Sequence, residues 1–448
     1  MRKLLPAAVS LLCCGVFYLI IWRNISGSPQ TVYLAVLRSG SFWMDGLETG
    51  EVTEALVTPD KNSSFTTKLT TVKTLKEDFK SLQHENLTQT ETPAGNKTQT
   101  LQTPSVLFKK DYTRLPQWNF EDVYVRNNDE KRQVCSASLQ NSRDPEFQAA
   151  VISDIQLWLY RGHLDISEWN RLSHFNNPFG FMDYRYNDIK PAADLIPKPR
   201  STQLLPVPEG AQDGCIRCAV VGTGGILSGS RMGKEIDSHH YVFRMNGALI
   251  KGYEEDVGKR TSVYVHTSYA ILNSFFLLKP YGFEVPKDEG IKYVLIPEGQ
   301  RDFEWIEGLI KKKLLKKGTY NGFRPLSFYS GGFDEDKLYV LHPDFLRYVR
   351  NRFLRSTTLD TDLWYMFRPT NGAFTLFLAL HTCDIVDVYG FITEDHHKYN
   401  NYYFERSTKT SVVFFVNHDY NLEIQTWKKL HDAGIINLYQ RKENPNGT

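Results

Sequence analysis

The sequence predicts an α/β domain built on a mainly parallel sheet, and three observations predict it. From Cys215 onward, short β-rich runs alternate with amphipathic ones, the pattern of parallel strands joined by helical crossovers. The first of those strands runs straight into a glycine turn, "CAVVGTGG", with a polar segment behind it. Apolar residues make up 41% of the 448-residue chain and aromatics are abundant, enough for a sizeable core. A net charge of +2 offers no clustered basic face, so nucleic acid is not an expected partner.

The elements follow in chain order. Behind Arg2 and Lys3, residues 4–22 are uncharged and span roughly 28 Å at 1.5 Å per residue, about one hydrocarbon core. The expectation is a cytosolic tail (residues 1–3), a transmembrane signal anchor (4–22) and a lumenal remainder. A cleaved signal peptide is the alternative, but it has a shorter apolar run and a small-x-small site that is not evident here. Residues 23–112 are rich in Thr, Lys, Gln and Pro and poor in core-forming residues, which reads as a disordered stem. Asn62, Asn86 and Asn96 open N-x-[ST] triplets in one polar part of it, Asn24 opens another beside the apolar run and Asn446 one near the C-terminus, so the stem reads as glycosylated. A lumenal domain over 113–448 follows.

Within that domain "AAVISDIQLWLYRG" has apolar residues at helical spacing, and "SEWNRLSHF" reads as a helix capped by Ser167. The expected strands are "CAVVG", "YVFRMN", "TSVYVHT", "KYVLIP", "DIVDVYGF" and "GIINLYQ". The expected helices are "EWIEGLIKKKLLKK", "HPDFLRYVRNRFL", "TNGAFTLFLALHTC" and "LEIQTWKKLHDAG". Lys311, Lys312, Lys313, Lys316 and Lys317 read as a solvated helix face. Cys13 and Cys14 fall in the apolar run. Cys135, Cys215, Cys218 and Cys383 remain, an even number that predicts two disulfides in a lumenal chain. The C-x2-C spacing of Cys215 and Cys218 also permits zinc, but no second pair follows it.

Three stretches can carry chemistry. Gly222, Gly224 and Gly225 permit close backbone approach to a phosphate, although the full G-x-G-x-x-G is broken at Leu227. A tight strand-to-helix turn explains them equally well. In "RPTNGAFTLF", Thr370 or Asn371 can cap a helix whose leading N–H groups suit a phosphate, or simply cap a core helix. In "VNHDYNLEIQTW", His418 stands just before a helix start, where the dipole favours the neutral imidazole; a structural role is the alternative. "DTD" at 360–362 and "DED" at 334–336 match a metal-binding D-x-D, but such triplets are common in loops, and no metal is expected. His239–His240 and His396–His397 are adjacent pairs whose side chains point apart.

At these residues the chain resembles the animal sialyltransferases, and more closely the branch acting α2,6 on N-acetylgalactosamine. The resemblance covers about Leu115 to Arg441. The large sialyl motif corresponds to Cys218 to about Arg260, the small motif to Pro369–Gly390, the third to Tyr402–Glu405 ("YYFE"), and the fourth, H-x4-E, to His418–Glu423. The resemblance implies a single GT-A-like, Rossmann-like domain in the Golgi lumen on a type II anchor. It implies transfer from CMP-sialic acid, with inversion and without cofactor or metal, to O6 of GalNAc on O-glycans of glycoproteins, bare or Gal-capped. It makes His418 the general base. It assigns Thr223, Asn246, Thr370, Asn371, Gly372 and Tyr402 to the donor, and pairs Cys218 with Cys383 and Cys135 with Cys215.

Two departures stand out. Thr223 replaces an asparagine common in the family, offering one hydroxyl for an amide. Tyr402 replaces a histidine, so a phenol that donates one hydrogen bond, without positive charge, is expected to meet the donor phosphate. The departures support an alternative, an inactive stalked sugar-binding protein. A dinucleotide-dependent oxidoreductase is disfavoured by the broken glycine pattern and by the missing acidic residue about 20 positions on.

Overall fold

The computed structural model describes residues 103–128, 134–201 and 203–441. The expected tail, anchor, most of the stem and all five N-x-[ST] triplets lie outside them. Among the described residues no helix is long and apolar enough to cross a membrane.

Among the described residues, eight strands form one sheet in the order β1-β6-β5-β4-β3-β2-β7-β8. They are β1 (Trp158–Leu159), β2 (Arg217–Val221), β3 (Tyr241–Met245), β4 (Val263–His266), β5 (Lys292–Leu295), β6 (Leu338–Leu341), β7 (Ile385–Tyr389) and β8 (Ile436–Leu438). Every pair is parallel except β1 with β6. Parallel strands are covered on both faces and read as continuous apolar runs. Accordingly, Val263–His266 and Leu338–Leu341 are buried throughout.

The helices are α1 (Pro145–Ala150), α2 (Ile166–Leu172), α3 (Tyr186–Ala193), α4 (Gly233–Ser238), α5 (Glu254–Val257), α6 (Ser268–Leu278), α7 (Gln300–Ile310), α8 (Pro343–Arg352), α9 (Asn371–Thr382) and α10 (Tyr420–Asp432). Helix α9 packs across β2, β3, β4 and β7. Its Ala373, Phe374, Leu376, Phe377, Leu378 and Ala379 are wholly buried, so it is apolar all round rather than amphipathic.

The strand order positions the site. From β2 the chain steps through β3, β4, β5 and β6 on one side, then returns to lay β7 on the other. The order therefore reverses between β2 and β7, and a doubly wound sheet opens its ligand crevice at the carboxyl ends of such a pair. Here those ends are Gly222–Gly225 and Gly390–Phe391.

Several expectations need correction. The helical spacing around "AAVISDIQLWLYRG" does not give a helix. Asp144 caps α1, which ends at Ala150, and Trp158–Leu159 is captured by the edge of β6 as an antiparallel strand. The cap of α2 is Asp165, whose carboxylate accepts from the Glu168 N–H at 2.8 Å, and Ser167 lies inside the first turn. Helix α7 ends at Ile310, so Lys311–Lys313, Lys316 and Lys317 sit on an exposed loop, with Lys312 at φ +54°. Strand β6, "LYVL", was not among the expected strands. Leu107 and Tyr112, placed by sequence in the stem, pack against the cluster of Leu115, Met182, Leu359, Trp364 and Phe367.

Disulfides join Cys135 to Cys215 and Cys218 to Cys383. The second ties β2 to the C-cap of α9. Asp384 holds the junction between the two bridges: its carboxylate accepts from the Cys135 N–H (2.9 Å) and the Ile216 N–H (2.7 Å).

Candidate active site

A cavity of about 290 Å³ opens at the β2/β7 reversal. It brings together every noncysteine residue that sequence placed in the site: Thr223, Asn246, Thr370, Asn371, Gly372, Tyr402 and His418 all line it.

The glycine turn forms one wall. An added Cβ at Gly222 or Gly224 would lie 2.6 Å from the Gly390 carbonyl oxygen, and one at Gly225 would lie 2.0 Å from that of Asn400. These glycines are therefore required first by chain-to-chain contact, which lets the Gly224 N–H donate to the Gly390 carbonyl at 2.9 Å. Thr223 accepts from the Tyr403 N–H through its carbonyl (3.1 Å), and Gly224 bridges to Tyr402. Tyr402 stacks on Phe404 with ring centroids 5.0 Å apart.

The opposite wall is the start of α9. Thr370 is its N-cap, with the hydroxyl accepting from the Ala373 N–H at 3.0 Å. That hydroxyl also donates to Glu423 (2.8 Å), and the Thr370 N–H donates to the other oxygen of the same carboxylate (2.8 Å). The Thr370 proton is thus directed at Glu423 rather than at a ligand, and Thr370 acts as a cap. The N–H groups of Asn371 and Gly372 lead the helix, where the dipole favours an anion. Asn371 donates from Nδ2 to Asn246 Oδ1 at 2.8 Å, leaving the Asn246 amide nitrogen as the donor end of that side chain. Asn246 sits at φ +50°, a left-handed conformation asparagine tolerates better than most residues.

Glu423 comes from the first turn of α10, capped by Asp419. Burial, the largest influence, pushes its carboxyl up to about 7, against the bonds from Thr370 and the Arg368 charge. Its folded value lies above its unfolded one, so the stability it contributes is full below about 4.5 and is lost as pH rises through about 7. Glu423→Gln is therefore expected to destabilise the protein more at pH 5.5 than at pH 8, by up to ~2 kcal/mol. Urea midpoints at the two pH values check it.

His418 stands one residue before that cap. Its Nδ1 lies 2.8 Å from the Arg368 carbonyl oxygen. A carbonyl only accepts, so Nδ1 carries the proton and Nε2 is the basic nitrogen. Burial first, then the Arg368 guanidinium, push the imidazole down to about 4, so it is neutral near pH 7.

Sequence reasoning missed Arg368 and Glu298. Arg368 pairs with Glu298 and donates to Asn371 Oδ1 (3.1 Å). Glu298 also takes Arg301 at 2.6 Å. Burial alone would raise the Glu298 carboxyl, but Arg368 and Arg301 outweigh it and hold it below its ordinary value. Asp302 braces this loop, accepting from the N–H groups of Ser268, Glu298 and Gly299. The only local signal was a charge beside the cap, "RPTNG". Elsewhere, Asp334 caps a turn and Asp336 pairs with Arg200, while Asp360 and Asp362 are exposed.

Comparison with known proteins agrees with this geometry. The model of glycosyltransferase family 29 (sialyltransferase) matches residues 158–435. The chain is 44% identical over 362 residues to alpha-N-acetylgalactosaminide alpha-2,6-sialyltransferase 1 of Mus musculus, covering 79% of this chain and 68% of the relative. To the Homo sapiens protein of that name it is 42% identical over 356 residues, covering 78% and 59%. To alpha-N-acetylgalactosaminide alpha-2,6-sialyltransferase 2 of Mus musculus it is 38% identical over 329 residues, covering 73% and 88%. The chain thus spans three-fifths to two-thirds of the length of the first two. A crystal structure of a mammalian sialyltransferase matches the fold with a TM-score of 0.50 at 24% identity, over 70% of this chain and 100% of that one. The chain belongs to glycosyltransferase family 29, the sialyltransferases.

Proposed function

We propose that the protein transfers sialic acid from CMP-sialic acid, with inversion, to O6 of N-acetylgalactosamine on glycoprotein O-glycans. The observation that supports this best is the pairing of a neutral imidazole, its Nε2 unpartnered among the described residues, with a helix N-terminus in one cavity. In the reaction, His418 Nε2 takes the proton of O6, and O6 attacks the anomeric carbon. The bond from that carbon to the phosphate oxygen breaks, and CMP leaves with the electron pair. The negative charge growing on the phosphate faces the leading N–H groups of α9, electrostatic stabilisation that needs no reorganisation. No step passes through a divalent ion. The relatives are named for this linkage and sugar, which supports the acceptor assignment. A lumenal Golgi site on a type II anchor belongs to the same proposal.

The test is to incubate the purified full-length chain with CMP-sialic acid and a GalNAc-peptide in EDTA. Release of CMP with a new linkage at position 6 is expected, at a rate EDTA does not change. An inactive sugar-binding chain would bind CMP and transfer nothing. Tyr402→Phe is expected to raise the donor KM about tenfold, the worth of one hydrogen bond to a charged group. An unchanged KM would remove Tyr402 from the donor site.

A further inference from the structure

Arg368 touches both halves of the proposed reaction centre. Its carbonyl receives the His418 Nδ1–H at 2.8 Å. Its guanidinium donates to Asn371 Oδ1 at 3.1 Å, and Asn371 passes the contact to Asn246 at 2.8 Å. The same guanidinium is anchored by Glu298, a buried carboxylate that Arg301 holds from the other side. Its Nη1 is buried and takes no partner among the described residues. Among the residues lining the cavity, Arg368 is the one arginine or lysine.

We propose that Arg368 is a positioning residue that couples base and donor. Its carbonyl fixes the tautomer of His418, and its charge opposes protonation of that ring. Its guanidinium fixes the rotamer of Asn371, and through Asn371 the donor-facing amide of Asn246. Glu298 holds the arginine in the one orientation that meets both demands. This rests on the reading of His418 as base.

The neighbouring charges leave this assignment to Arg368. On the imidazole's own segment, Asp419 is engaged by the Leu422 N–H and by the Ser356 hydroxyl, and Glu423 is engaged by Thr370. Tyr420 packs edge-on at 5.7 Å. From the β5–α7 loop comes Glu298, which favours the charged imidazole and so acts against Arg368. Removing the arginine therefore removes the cation that opposes protonation of the ring and leaves Glu298, still paired with Arg301, which favours it.

The experiment compares full-length wild type with Arg368→Met, Arg368→Lys and Glu298→Gln, recording kcat/KM against pH, the donor KM and Tm. Arg368→Met is expected to move the acid limb up by about one pH unit and to raise the donor KM about tenfold. Arg368→Lys keeps the charge but cannot span Glu298 and Asn371 together. Its acid limb should stay in place while the donor KM still rises. Glu298→Gln should move the limb no higher than wild type. A purely structural role would lower Tm and kcat together without this ordering of limbs. Wild-type limbs in all three variants, or a donor KM unchanged in both arginine variants, would overturn the proposal. If Arg368→Met does not fold, the lysine and glutamine variants decide it alone. A wild type that transfers no sialic acid would instead overturn the function proposed above, and a wild-type acid limb that survives in His418→Ala would overturn the base assignment.

Discussion

His418→Ala is expected to lower kcat for sialyl transfer by about 10²–10⁴-fold, the range for a lost general base, while CMP binding stays at the wild-type level. The split follows from where the contacts originate. The proposed donor groups belong to Asn246 and to the start of α9, which is capped by Thr370 and braced by Glu423. None of those bonds involves the imidazole, whose one hydrogen bond among the described residues goes to the Arg368 carbonyl. Single-turnover rates and CMP titrations separate the two quantities. Equal losses in both would show that the ring shapes the nucleotide site instead of acting on the acceptor. The pH dependence has the opposite sign to that of Glu423. The folded value near 4 lies below the ordinary 6.5, so stability from keeping this ring neutral is present above about 6.5 and lost as pH falls through about 4.

Breaking the bridge between Cys218 and Cys383 with paired serines is expected to destabilise the protein by ~4 kcal/mol, a large share of a typical domain's 5–15 kcal/mol. The two cysteines are 165 residues apart in sequence, and the cost of leaving that loop open grows only slowly with its length. The bridge between Cys135 and Cys215, 80 residues apart, should therefore contribute within ~1 kcal/mol of the same amount. Function should tell them apart. The first bridge ties β2, which ends in the glycine wall, to α9, whose start forms the opposite wall, so its loss should also weaken CMP binding. The second lies away from the cavity and should leave CMP affinity unchanged. Urea denaturation of both serine pairs, with CMP titrations in parallel, measures each effect.

Sequence revealed much of this site because its parts are local. A cap such as Thr370, a His before a helix start and a glycine turn behind a strand are each written within a few residues. The strands of the sheet centre were legible for a similar reason: buried on both faces, they become short apolar runs bounded by turns. What failed depends on distant partners. Trp158–Leu159 is a strand only because the edge of β6, some 180 residues on, is there to pair with it. The Arg368–Glu298 ion pair joins segments 70 residues apart, and neither partner has a local signature of that role. The glycines at 222, 224 and 225 were legible as a turn, but their reason, the carbonyls of Gly390 and Asn400, became visible only in three dimensions.

The most direct measurement is a crystal structure of the full-length chain with CMP and a GalNAc-peptide bound together. His418 Nε2 should lie within about 2.6–3.2 Å of the sugar's O6, with the phosphate at the N–H groups of Asn371 and Gly372. An imidazole turned away from O6, or a phosphate bound elsewhere than at the start of α9, would contradict the mechanism derived for this protein.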